Sequence, residues 1–417
     1  MSAGTGQLNN VQSGVRGYVA YLGLAVFNVS ISATLLLLFA NALPVEQYAD
    51  FGVISSLAGL ALLLVNAGHK EALFKFASQS KANELVAIAQ SLQRWLLPLL
   101  ALALLLALIV PTVGLAALMF LFLYVTIAVS SVFRGRAEYT KDAALWPLYR
   151  GIWLVGCFVF FVHEAELSLL PVFAIGSLAA VLTFLMLGGY SVARELVGRA
   201  SFQLSWPLRD ATLRRFFLIE VATIAYVKVD VLLLAFLGIP SADIASYFFS
   251  IQLFEAALLV LMPLGYLFFN RINGSDAPNL NATVLLVFVG GVFVVSLMVI
   301  AGWAVLGPAL LETLFANYVS SNTTTVVLFI ALLPWGLALL FSYWLIAQNR
   351  ERLVASAFFV GLVLHLVLNG AFIPTWGVQG AAWARVATEC AIALMLLAAA
   401  IKTGSLAVNG EAPKTPV

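Results

Sequence analysis

Runs of about twenty apolar residues, each closed by a charged or Pro/Gly-rich break, recur along this 417-residue chain and decide what it can become. A helix of that length crosses the hydrocarbon of a bilayer, and a segment out of water must satisfy its backbone N–H and C=O groups internally. The runs fall at 17–43, 47–67, 95–113, 115–133, 146–162 and 167–192, and after a polar stretch at 214–237, 242–269, 281–306, 323–347, 353–373 and 377–401. An all-α polytopic membrane protein of about twelve spans, ordered six plus six, is expected. Only 10% of the residues are charged and 63% are hydrophobic, whereas soluble domains carry about 25% charged residues. An ordinary soluble enzyme is excluded.

Lys and Arg occupy one set of loops, and short basic loops stay cytoplasmic during insertion. Arg16 precedes the first span; Lys70, Lys75, Lys81 and Arg94 follow the second; Arg134, Arg136, Lys141 and Arg150 follow the fourth, with Arg150 just inside the fifth. Arg194, Arg199, Arg209, Arg214, Arg215, Arg271, Arg350, Arg352, Lys402 and Lys414 continue the same side. Thus 19 of the 21 basic residues share it, and only Lys228 and Arg385 lie within spans. The opposite loops carry Glu46, Asp50, Glu164, Glu166, Asp243 and Glu312 and no Lys or Arg. Both termini are therefore expected in the cytoplasm.

Two cytoplasmic stretches, 69–94 and 193–215, mix charge with apolar residues as interfacial amphipathic helices do. The expected organisation is an N-terminal six-helix lobe over 1–192, an inter-lobe linker over 193–213, a C-terminal six-helix lobe over 214–402 and a flexible tail over 403–417. An internal repeat supports it. At an offset of 196 residues, LLLLFANALPVEQYADF (Leu35 to Phe51) aligns with VLLLAFLGIPSADIASY (Val231 to Tyr247), matching Pro44 with Pro240 and Phe51 with Tyr247. Parallel repeats of this kind build secondary transporters.

Four longer segments carry a resemblance. LPVEQYADFGVISSLAGLALLLVNAGHKEALFKFAS, YVKVDVLLLAFLGIPSADIASYFFSIQ, LLETLFANYVSS and LIAQNRERLVASAFFVGLVLHLVLNGAFIPTWGVQGAAWARVATE follow one another in the order seen in polysaccharide flippases. The chain resembles the Wzx-type O-antigen and exopolysaccharide flippases of the multidrug/oligosaccharidyl-lipid/polysaccharide (MOP) superfamily, with Asp230, Asn369, Pro374, Gly377 and Gly380 at matching places. The resemblance implies two lobes around a central cavity that opens alternately to each side. It also implies movement of an undecaprenyl-diphosphate-linked oligosaccharide from the cytoplasmic to the periplasmic leaflet of a bacterial inner membrane. Expected partners are that substrate, the bilayer and other membrane proteins of polysaccharide assembly. Nothing points to a nucleic acid, a resident cofactor or a metal; a proton or sodium ion is the candidate coupling ion.

Ionisable residues inside spans are expensive and mark pathways or pairs. Span seven carries Glu220, Lys228 and Asp230, span eight Glu255, span eleven His365, and span twelve Arg385 and Glu389. Asp230 and Arg385 each lie eight residues, about 12 Å, from a helix end at Gly238 or Gly377, and His365 lies at a similar depth. Asp230 is expected to be a coupling or structural carboxylate with Arg385 or Lys228 as neighbour. Arg385 and Glu389, four apart, read as an intrahelical pair, and His365 is a candidate titrating group. Glu255 lies nearer mid-membrane, and Glu220 sits close to Arg214 and Arg215. Lys70, Lys75 and Arg150, at the cytoplasmic mouth, suit a diphosphate, although positive-inside bias alone puts cations there; Lys228 and Arg385 are the cationic substrate-binding candidates within spans. His69 reads as a solvated helix-end histidine.

Three rivals stay open: a MATE-type drug or cation antiporter, a membrane-embedded glycan polymerase or ligase, and a lipid II flippase. Span one has no acidic residue, only Asn28 near its middle, which counts against the first. The longest outer loop, 307–322, has the single ionisable Glu312, too little for paired acid and base chemistry.

The orientation is testable with reporters. A fluorescent protein fused after Lys402 should fluoresce in intact bacteria, and alkaline phosphatase fused at Glu312 should be active. Active phosphatase at Arg350 would invert the topology.

Overall fold

The computed structural model describes residues 23–24, 27–66, 68–78, 82–136, 138–164, 167–197, 211–273, 282–348 and 350–402. Every regular element among them is helical. In order these are α1 (Phe27–Ala42), α2 (Val45–Asn66), α3 (His69–Ser78), α4 (Ala82–Ile109), α5 (Pro111–Gly135), α6 (Tyr139–Glu164), α7 (Leu169–Met186) and α8 (Gly189–Val197). There follow α9 (Ala211–Phe236), α10 (Ser241–Asn273), α11 (Ala282–Leu314), a 3-10 turn (Ala316–Ser321), α12 (Asn322–Ile330), α13 (Leu332–Ala347) and α14 (Glu351–Lys402). The chain separates into two compact units, Met1–Lys228 and Val229–Val417, with the boundary inside α9.

A helix stands at each of the twelve expected spans. Among the described residues, eight helices are long and apolar enough to cross a membrane. Their outward faces are themselves apolar: Leu104, Leu105 and Leu108 on α4 and Leu286, Val287, Met298 and Val305 on α11 are exposed. Exposed side chains of this kind, repeated along a helix, require hydrocarbon rather than water as their solvent. The chain is a multi-pass membrane protein.

In the first unit α5 is the central helix, packed on α2, α3, α4, α6 and α7. Its buried Gly114, Ala116, Ala128, Ser130 and Ser131 let neighbouring backbones approach, as small residues do between membrane helices. Phe39 of α1, Phe51 of α2, Trp153 of α6 and Phe173 of α7 form an aromatic core with ring centroids 5.1–5.5 Å apart along the chain of contacts. The Trp153 indole donates to the Val172 carbonyl at 2.9 Å.

Two sequence expectations change. The stretch 69–94 is not one interfacial helix: α3 ends at Ser78, and α4 begins at Ala82 and runs on through the third span. Leu85, Ile88, Ala89 and Leu92 form a buried stripe at helical spacing, and no Gly or Pro interrupts 82–97, so the chain has no reason to break before the membrane. The fifth span likewise starts earlier, at Tyr139, because the charge that suggested a loop is neutralised: Arg134 grips Asp142 through two hydrogen bonds at 2.9 and 3.0 Å. Of the expected linker, α8 covers 193–197; residues 198–210 and the tail 403–417 lie outside the described residues.

The 52 residues of α14 contain both expected final spans as an antiparallel hairpin. Gly377 adopts φ 55° and ψ −133°, a conformation that glycine takes without a Cβ clash, and Pro374 precedes it. Register follows from contacts across the two arms: Gly361 faces Ile392, His365 faces Thr388, and Gly380 faces the backbone of Phe372.

A Cβ at Gly380 would collide with that backbone, which cannot move aside as a side-chain tip would. Gly380→Ala should therefore destabilise the protein by about 1–3 kcal/mol, read as a lower thermal midpoint in detergent. Gly370→Ala is the control: nothing lies within 4 Å of that position, so it should be neutral or stabilising.

Candidate functional site

The second unit buries a cluster of charge around Asp230. Asp230 and His365 have no exposure, Arg385 retains 1% and Glu389 none. Four elements deliver them: Asp230 from α9, Tyr247 from α10, His365 and Asn369 from the first arm of α14, and Arg385, Thr388 and Glu389 from the second arm. The hairpin register brings residues twenty apart in sequence to one level.

The carboxylate of Asp230 is fully occupied. Its Oδ1 meets His365 Nε2 and accepts from Asn369 Nδ2 at 3.3 Å. Its Oδ2 accepts from the Tyr247 hydroxyl at 2.8 Å and from Arg385 Nη1 at 3.4 Å. Arg385 Nε lies 3.3 Å from Glu389 Oε1, and its guanidinium stands 5.6 Å from the centre of the Phe254 ring, within cation–π range. His365 Nδ1 meets Thr388 Oγ1 at 3.0 Å. A buried ion pair survives only when its lone pairs and protons are hydrogen-bonded, and this one is braced from four elements.

The expected candidates now have places. Asp230, Arg385, His365 and Glu389 converge; Lys228, the alternative neighbour of Asp230, instead belongs to the first unit, where its Cγ lies 3.4 Å from where a Cβ on Gly59 would stand. Glu255 is half-buried one residue beyond Phe254. Lys75 lies on α3, and its side chain is outside the described residues.

In the first unit a second polar knot joins α2, α5 and α9. Glu220 pairs with Lys70 Nζ at 3.1 Å and accepts from Asn66 Nδ2; the side chain of Arg215 lies outside the described residues. Asn66 Oδ1 in turn accepts from Tyr124 Oη at 2.6 Å and from the Lys70 amide at 2.9 Å. His69, expected to be solvated, is fully buried between the Asn66 carbonyl and Ser91 Oγ, because α4 continues past it as a packed helix. Arg150 turns toward α1, donating to Asn28 Oδ1 at 3.1 Å and to Ser32 Oγ, with Trp146 beside its guanidinium. Lys70 and Arg150 thus each have a protein partner.

Sequence reasoning missed Tyr247, Thr388, Asn66 and Tyr124 as polar partners. A neutral hydroxyl or amide in an apolar run gives little signal by itself. Tyr247 had one clue, since its repeat counterpart is Phe51: the added oxygen is the only chemical difference, and it is what reaches Asp230. Among the described residues no group of three or more His, Cys, Asp or Glu is placed to hold a metal ion.

No family model and no curated protein matches the sequence. Solved structures do match the fold. Lipid II flippase MurJ in an inward closed conformation aligns with a TM-score of 0.73 at 13% identity, covering 93% of this chain and 87% of MurJ. A multidrug resistance MATE family transporter of the MOP superfamily, inward-facing, aligns at 0.63 and 13% identity, covering 94% and 99%. The eukaryotic MATE transporter AtDTX14 aligns at 0.56 and 15% identity, covering 93% and 96%. At such identities the likeness is one of fold: the chain has the all-helical fold shared by MurJ and the MATE transporters of the MOP superfamily.

Removing the guanidinium would leave two buried carboxylates without their cation. Arg385→Gln should destabilise the protein by about 3–5 kcal/mol. Arg385→Gln combined with Glu389→Gln should recover part of that loss. Thermal unfolding in detergent measures both, and additive losses would mean that Arg385 and Glu389 are not coupled.

Proposed function

We propose that this chain is a flippase for a lipid-linked oligosaccharide, carried on undecaprenyl diphosphate from the cytoplasmic to the periplasmic leaflet by alternating access. The observation that carries the reading is whole-chain fold similarity to a lipid II flippase, at a TM-score of 0.73 against 0.63 for a MATE transporter. The four ordered segments that resemble Wzx-type flippases point to the O-antigen or exopolysaccharide branch. On this reading the protein sits in a bacterial inner membrane with both termini inside, and works with other membrane proteins of polysaccharide assembly. Lys70, Lys75 and Arg150 are the cations offered to the diphosphate. For Lys70 and Arg150, binding exchanges a carboxylate or amide partner for phosphate oxygens, which accept charge-assisted hydrogen bonds well.

Lipid II is the second reading, favoured by the name and score of the MurJ match. The MATE-type antiporter is disfavoured by the lack of any acid in residues 17–43 and by the engagement of Asn28, the mid-span polar residue, with Arg150.

Complementation separates these readings. Expression in strains deleted for an O-antigen flippase, across several glycan backgrounds, should restore surface glycan in at least one. Rescue of a lipid II flippase-depleted strain instead would transfer the substrate to lipid II. Rescue of neither by well-inserted protein, together with ion-driven dye efflux, would establish the antiporter. In the complementing background Glu220→Gln, which frees Lys70 from its carboxylate, should change glycan delivery several-fold without lowering the amount of protein; an unchanged rate would remove the Lys70–Glu220 pair from substrate handling.

A further inference from the structure

A cavity of about 520 Å³ opens in the first unit along α4 and α5. Leucine and valine make its walls: Leu96, Leu97 and Leu100 come from α4, and Leu121 and Val125 from α5. At one end it is bordered by α8, through Tyr190, Val192 and Arg194. Val192 is 4% exposed and belongs to the core that α3, α4 and α5 share, so α8 is seated on the bundle. Arg194 lines the cavity and is itself exposed, which puts its guanidinium at the opening.

The groove has the depth of one leaflet. Gly114 of α5 stands against Ala107 of α4, and that antiparallel register sets Leu100 level with Leu121 and Ala89 level with Val132. The lining covers these same stretches, Ala89 to Leu100 and Leu121 to Val132, and eleven rises of 1.5 Å make about 16 Å. Half of the hydrocarbon core of a bilayer is about 15 Å. Arg194 lies on the side that carries 19 of the 21 basic residues, so the groove descends from headgroup level on that side to the bilayer centre.

Polar groups interrupt this apolar lining where a lipid carries its own. Among the described residues that line the cavity, Arg194 is the charged one and none is acidic. Gln93 also lines it, and its Oε1 is buried with no hydrogen-bond partner among the described residues. The amide turns to offer either its oxygen or its NH2, and the ester carbonyls of a glycerolipid accept from an NH2. Tyr190 stands one helical turn before Arg194 on the same face of α8 and is 65% exposed, as suits a ring at the membrane interface. Basic pockets between membrane helices on the cytoplasmic side hold anionic head groups.

We propose that this groove binds an anionic glycerophospholipid from the leaflet on the basic side. One acyl chain lies along α4 and α5, an ester carbonyl meets Gln93, and the phosphate pairs with Arg194, whose guanidinium gives charge-assisted hydrogen bonds to phosphate oxygens. A polyprenyl diphosphate fits less well, because its chain is far longer than the leaflet-deep groove. The bound lipid ties α8 to α4 and α5, and α8 is the last described helix before α9. The site requires only that the chain lie in a membrane, and it stands apart from the flippase reading.

Native mass spectrometry of the full-length protein in detergent tests it, by titration with phosphatidylglycerol or with phosphatidylcholine of identical acyl chains. The first phosphatidylglycerol should bind about tenfold more tightly than phosphatidylcholine, the gain of one charge-assisted contact. Arg194→Gln, at an exposed position, should bring the two lipids level. Val125→Phe, which fills the groove, should weaken both about tenfold; if that protein does not accumulate, Leu97→Trp at a 46% exposed lining position takes its place. Equal binding of the two lipids by the wild type, a preference that survives Arg194→Gln, or binding unchanged by the filled groove overturns the site. Displacement of phosphatidylglycerol by an equal amount of undecaprenyl phosphate would assign the groove to a polyprenyl lipid and overturn the phospholipid as its occupant.

Discussion

A guanidinium held away from water between two carboxylates is the constraint on which the second unit depends. Arg385 is as buried as any leucine near it, and isolated charge in such a place is untenable. Everything around it answers that demand: Asp230 and Glu389 supply opposite charge, Phe254 supplies a ring face, Tyr247 shares Asp230 Oδ2 with Arg385, and Asn369 and His365 meet Oδ1. Buried ion pairs of this kind add little net stability over a packed apolar core. This one is better understood as a device for holding α9, α10 and both arms of α14 in one particular arrangement.

The first unit solves a related problem differently. Its centre is aromatic, built from Phe39, Phe51, Trp153 and Phe173, and its polar knot at Asn66 lies at the junction of α2 and α3. The two units share a helix, proline turn, helix pattern: Tyr48 donates its amide to the Pro44 carbonyl, and Ile244 to that of Pro240. At the position of Asp230 the first copy has Thr34, whose hydroxyl returns to its own helix at Ser30. At this position one copy keeps its polar group on its own helix, and the other builds a buried charge cluster.

Much of this was legible in the residues because membrane insertion is governed by simple sums. Apolar run length located the helices, and the placement of Lys and Arg supported the count. The convergence of Asp230, His365 and Arg385 was visible as shared depth, since each lies about the same number of residues from a helix end, but depth leaves rotation open. Facing is decided by packing between helices that are distant in sequence, which is why Lys228 looked as good a neighbour for Asp230 as Arg385. Burial of His69 was illegible for the same reason: it required knowing that 82–94 is membrane helix, and the charges at Glu84 and Arg94 argued otherwise until the stripe at Leu85, Ile88, Ala89 and Leu92 was seen packed.

The turn at Gly377 makes α14 a caliper. His365 lies twelve residues before the turn and Thr388 eleven after it, and they touch only because the arms are matched in length. Insertion or loss of one residue in either arm rotates everything beyond it by about 100° and slides it by about 1.5 Å, so in the second arm Arg385 would move to the place of Val386 or Ala384, both buried, and Asp230 would lose its cation. Length changes in this hairpin are therefore permissible only beyond the cluster, toward 351 and 402, or as paired changes of whole turns in both arms. Substitutions can drift at these helices while the spacing cannot, and the spacing from His365 through Gly377 to Glu389 is a more durable signature of this site than any one of its side chains.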